Sequence, residues 1–102
     1  MYTVHMDNLH FEWDKRKDKA NVKKHGVSFE EARSTFYDEF SLHFIDPDHA
    51  DTKDRFILLG NSHRINTLVV CHCFREDETI IRIISARKAD AEEEQAYWSY
   101  RK

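Results

Sequence analysis

IRIISARKA, residues 81–89, reads as a buried β-strand and its exit, and it carries Arg82, Arg87 and Lys88. A strand that brings cations out of an apolar sheet is aimed at an anion. The phosphate backbone of a nucleic acid is the commonest large anion in a cell. By strict alternation Arg82 and Arg87 face opposite sides, so a shared site requires a β-bulge or a place for one of them at the twisted strand end.

Upstream, Thr67 to Phe74 and Arg55 to Leu59 are two more apolar runs, joined by the short polar connections Gly60 to Asn66 and Arg75 to Glu78. Three such runs predict an antiparallel meander. The length of the loop after Phe74 sets the partner of His72. Five residues, Arg75 to Thr79, place it across from Arg82, whereas four place it with Ile81, Ile83 and the Ser85 and Arg87 face. Phe40, Leu42 and Phe44 alternate as a further strand, which Asp46-Pro47-Asp48 ends by turn chemistry. Downstream, Ala89 to Tyr100, rich in Ala, Glu and Gln, predicts a closing helix.

Toward the N-terminus, Leu9, Phe11 and Trp13 alternate as a first strand, and Asp14 is placed to cap a helix ending at Gly26. Ser28 and Glu31 form an S-x-x-E capping box for a second helix, with Phe29, Ala32 and Phe36 as its apolar stripe. Residues 1–8 show no period and read as a flexible extension. The expected fold is α+β: an antiparallel meander sheet, two N-terminal helices on one face and a C-terminal helix, with the other face open to a ligand.

The chain has 102 residues, which suits one domain spanning 1–102. Hydrophobic residues make up 40% and aromatics 13%, enough for a core despite 34% charged residues. The net charge of −3 argues against a nucleic-acid partner only if charge is evenly spread. It is not: KRKDKANVKK, residues 15–24, holds six cations and one acid, while Asp46, Asp48, Asp51 and Asp54 crowd one loop. No apolar run reaches the roughly 20 residues of a membrane span, and no leader pattern opens the chain, so a cytoplasmic protein without membrane contact is expected. Cys71 and Cys73 alternate onto one face of one strand, a poor geometry for a mutual disulfide, and read as reduced residues.

Metal-free RNA cleavage needs a base for the ribose 2′-hydroxyl, an acid for the departing 5′-oxygen and cations for the charge that builds on phosphorus. Lys24, Arg55, Arg82, Arg87 and Lys88 are candidate cations, and His25 and His72 candidate proton carriers. Several have a plainer alternative. Arg82 can pair with a carboxylate, Lys24 can sit on a solvated helix face, His72 can be a hydrogen-bonded strand residue, His25 can favour a helix C-terminus, and Trp13 can be core. Cys71-His72-Cys73, with His49 and His63 on loops, lacks the spacing that folds two thiolates round one zinc ion, so no metal is expected. Two glycines leave no phosphate-binding glycine loop and no nucleophile elbow.

FEWD (11–14), KHGVSFEEA (24–32), DPDH (46–49), Arg55 and IRIISARKA together resemble the BrnT family of bacterial toxins, in order and over nearly all of Phe11 to Tyr97. The resemblance implies a RelE-like fold and a cofactor-free ribonuclease toxin of a type II toxin–antitoxin module. Such a toxin cleaves RNA, inhibits translation, and is neutralised by a BrnA-type antitoxin in a hetero-oligomer. The motif positions carried onto this chain are Trp13, Lys24, His25, Arg55, His72, Arg82, Ser85 and Arg87, and Lys23 and Lys88 join Trp13 as candidates for holding RNA. Related toxins use basic side chains more than a dedicated acid–base pair, so no residue is assigned as the base. Two departures stand out: ten residues precede FEWD, and Cys71-His72-Cys73-Phe74 is richer in cysteine than the family strand. The alternative is a non-catalytic nucleic-acid- or partner-binding module, such as an inactive toxin relative.

Overall fold

The computed structural model describes residues 9–49, 51, 54–76 and 79–101, and the expected N-terminal extension lies outside them. The order is β1 (His10–Glu12), α1 (Lys15–His25), α2 (Phe29–Ser34) running into a 3-10 turn (Thr35–Tyr37), and β2 (Leu42–Ile45). A second 3-10 turn (Pro47–His49), β3 (Phe56–Asn61), β4 (Thr67–Arg75), β5 (Ile80–Lys88) and α3 (Ala91–Tyr100) follow.

Local chemistry places the helices. Asp14 accepts from the backbone N–H groups of Arg16 and Lys17, satisfying two of the unpaired donors at the start of α1. Gly26 ends that helix in the left-handed conformation at φ 71°. Ser28 caps α2 through the Glu31 N–H, but the other half of the expected capping box is missing. The Glu31 side chain is buried and instead accepts from Ser62 Oγ at 2.6 Å and Asn66 Nδ2 at 2.8 Å, pinning the β3–β4 loop to α2. A complete capping box appears at α3, between Asp90 and Glu93.

Strands β2 to β5 form the expected antiparallel meander, and the full sheet order is β1-β5-β4-β3-β2. The sheet is mixed, however, and this corrects the purely antiparallel expectation: β1 runs parallel to β5, with Phe11 opposite Ile81 and Glu12 opposite Arg82. Without β1 the outer edge of β5 at residues 80–82 would leave its backbone groups unpaired. Helices α1 and α2 cover one face through Val27, Phe29 and Ala32, which pack on Leu58, Leu68, Val70, Ile83 and Ala86. On the opposite face α3 covers only one end, where Tyr97 packs on Leu59 and Val69. The rest of that face, along β4 and β5, is uncovered by any described helix. None of the described helices is long and apolar enough to cross a membrane.

Candidate functional site

Strand β5 organises the uncovered face. Its register with β4 runs Phe74–Ile81, Cys73–Arg82, His72–Ile83, then resumes at Cys71–Ser85 and Val69–Arg87, leaving Ile84 unmatched. Ile84 is the extra residue of a β-bulge, and it shifts the alternation by one. Arg82, Ser85 and Arg87 therefore share the open face with Cys71 and Cys73, while Ile81, Ile83 and Ala86 turn into the core. Beyond Glu12 no strand among the described residues covers the outer edge of β5, and buried Asn21 of α1 takes that place. Its amide donates to the carbonyl oxygens of Ala86 (2.7 Å) and Val27 (2.8 Å), and its oxygen accepts from Ala86 N–H (3.1 Å). The same clamp fixes the end of α1, and so His25, beside the bulge.

His25, the 46–49 turn, Arg55, Cys71, Ser85 and Arg87 enclose a hollow of about 390 Å³. Arg55 arrives there because its carbonyl accepts from Asp46 N–H at 2.9 Å, which closes the intervening loop. Asp46 is only 7% exposed. Its carboxylate accepts from Asp48 N–H at 3.0 Å and from His49 Nδ1 at 3.3 Å, with Cys71 Sγ at 3.7 Å. These donors, the Asp48 N–H foremost, hold the Asp46 carboxyl below its usual pKa although burial opposes them. Burial, reinforced by the Asp46 charge, pushes the Cys71 thiol up to about 11. Arg87 makes a two-bond pair with Glu93 at 2.8 Å each, which raises the guanidinium pKa and lowers that of Glu93. Among the described residues Arg55 forms no ion pair.

Of the residues expected at the site, His25, Arg55, Ser85 and Arg87 meet in this hollow. Lys23 and Lys24 are exposed on the last turn of α1, next to His25. Arg82 lies farther along the same face, paired with Glu12 at 2.8 Å. Arg55 also lines a neighbouring hollow with Cys73 and Arg75, where Asp54 and Glu76 stand beside the two arginines. Three expectations do not fit. His72 is sealed on the helix-covered face, 1% exposed, because the register pairs it with Ile83. Trp13 packs edge-on to Phe29 at 6.2 Å against the core, and Lys88 pairs in register with Leu68 on the helix side of the sheet. Because Cys71 and Cys73 face away from His72, the C-H-C triplet cannot close round one ion.

Asp46 and His49 were not among the expected site residues. Their signal was present in D-P-D-H: residues three apart stack in a 3-10 turn of three residues per turn, and proline at its start has a preset φ.

Fold and hollow together define a small α+β protein with arginines and carboxylates gathered on a partly uncovered sheet face. The same architecture is found in the crystal structure of the Brucella abortus ribonuclease toxin BrnT. That structure is 20% identical to this chain, with a TM-score of 0.63 over 80% of this chain and 97% of the other, and at that identity the likeness concerns the fold. A family model described as "Ribonuclease toxin, BrnT, of type II toxin-antitoxin system" matches residues 13–93, and the chain belongs to that family. No curated protein matches it.

Proposed function

We propose that this chain is a metal-independent endoribonuclease of RelE-like type that cuts RNA in the hollow at the Ile84 bulge and so inhibits translation. One observation carries the proposal: the bulge brings Ser85 and Arg87 onto the same open face as Arg82, where Arg55 and His25 join them. Arg55 and Arg87 stabilise the charge that grows on phosphorus, His25 carries a proton, and Ser85 offers a hydrogen bond to a phosphate oxygen. Arg82, Lys23 and Lys24 contact phosphates away from the cut, while Trp13 and His72 support the core. A BrnA-type antitoxin would be the partner, forming a hetero-oligomer by covering the open face.

The test is cleavage of a defined RNA by the purified chain in EDTA, beside growth arrest on induced expression of the wild type, Arg55→Ala and Arg87→Ala. Cleavage in EDTA with loss of arrest in both variants is the expected result, and strict dependence on a divalent ion refutes the metal-free scheme. The pairing of Arg82 with Glu12 and Arg87 with Glu93 favours a second possibility, a non-catalytic binder with part of its charge already neutralised. Such a protein would give a salt-sensitive gel shift and leave the RNA intact.

A further inference from the structure

We infer that His49, oriented by Asp46, is a catalytic residue of this hollow: it takes the proton from the ribose 2′-hydroxyl. The inference rests on the ribonuclease proposal above and supplies the proton acceptor that it lacks. His49 ends a 3-10 turn whose backbone is closed by its own N–H bonding to the Asp46 carbonyl at 3.0 Å. The same two residues meet again through their side chains, Nδ1 to carboxylate at 3.3 Å. A buried carboxylate that holds one ring nitrogen fixes the tautomer, with Nδ1 protonated and Nε2 basic, and stabilises the imidazolium once a proton arrives. Asp46 itself is kept anionic by the Asp48 N–H, and acts as a positioning residue. His49 lines the same hollow as His25, Arg55 and Arg87.

The step balances without a co-reactant. The 2′-oxygen loses its proton to His49 Nε2 and forms a bond to phosphorus, while the P–O5′ bond breaks. His25 gives its proton to the departing 5′-oxygen. The products are a 2′,3′-cyclic phosphate and a 5′-hydroxyl end, and one proton passes from His49 to His25 through solvent before the next turnover. Among the described residues, the charged and titratable groups that line the hollow with His49 are Asp46 and Asp48 on its own turn, His25 on α1, Arg55 before β3, Cys71 on β4 and Arg87 on β5.

The experiment measures single-turnover cleavage of a defined RNA from pH 5 to 9 for the wild type, His49→Ala, Asp46→Asn and the exposed-loop control His63→Ala. Expected are a loss of about 100-fold or more in His49→Ala, disappearance of the rise in rate with pH on the acid side, partial rescue by added imidazole, and an intermediate loss in Asp46→Asn. Rescue by imidazole separates a chemical role from a folding defect. If the wild type cuts RNA and His49→Ala cuts within threefold with the same pH profile, the assignment of His49 is overturned while the ribonuclease proposal stands. If the wild type cuts no RNA, both fall.

Discussion

His72 makes acid lability a predictable property of this fold. The ring is edge-on to Phe36 at 4.8 Å and Phe74 at 5.5 Å and tilted against Phe56 at 6.1 Å. Its Nδ1 reaches the Val70 carbonyl at 3.2 Å, and its buried Nε2 has no partner among the described residues. Protonation would place a second N–H in that apolar box, and burial accordingly holds the pKa down to about 4, against 6.5 for a free histidine. A folded-state pKa below the unfolded value means that the unfolded chain binds the extra proton first. Stability is therefore intact above pH 6.5, declines as pH falls toward 4, and levels off below. Between pH 7.5 and 5.0 linkage predicts a loss of about 2 kcal/mol from this one group. With a urea dependence of about 1–1.5 kcal/mol per molar, the midpoint should fall by roughly 1.5 M. Urea unfolding followed by circular dichroism at both pH values, for the wild type and His72→Leu, isolates the effect, because every other titrating group is common to both. Equal pH dependence in the two proteins would refute the reasoning. So would an NMR titration placing His72 above 6.5, which would mean that the phenyl rings attract the imidazolium more strongly than burial repels it.

Asn21→Leu strips partners from the Ala86 N–H and carbonyl and from the Val27 carbonyl, and should cost about 3 kcal/mol in the same unfolding assay. Ile65 is 78% exposed and held at φ 60°, a strained backbone for a β-branched residue; Ile65→Asn should raise stability by about 1 kcal/mol. The Cys71 thiol, raised to about 11 from 9.0, should react with iodoacetamide at neutral pH about 100-fold more slowly than a free thiol, as read by mass spectrometry. Arg55→Ala should weaken RNA binding and reduce the slope of log K against log salt by about 0.7, the increment for one phosphate contact on a single strand.

Elements governed by neighbours in sequence were legible in the chain. Asp14, Gly26 and Ser28 bound their helices as their chemistry dictates, and the apolar runs became β3, β4 and β5 to within about a residue or two. What escaped depends on partners far away in the chain. Glu31 looks like half of a capping box but binds Ser62 and Asn66, more than 30 positions on. The parallel docking of β1 joins residues about 70 apart. That Ser85 and Arg87 fall on the side opposite His72 turned on a single unmatched residue. In the hollow, His25, Arg55, Ser85 and Arg87 could be nominated from the sequence, whereas the contact of His49 with Asp46 required the turn geometry. Charge alone placed Arg82 and Arg87 at one centre, and the ion pairs with Glu12 and Glu93 show how much of that charge is already engaged.

Ile84 divides β5 into two reading frames: before it odd positions point inward, and after it even ones do. A ribbon that paired straight through Ile84 would turn Ser85 and Arg87 in beneath the helices and push Ala86 out to water. Deleting Ile84 alone would instead leave Arg82, Ser85 and Arg87 on one side by plain alternation, so this position tolerates loss where a one-residue change elsewhere in the strand would not.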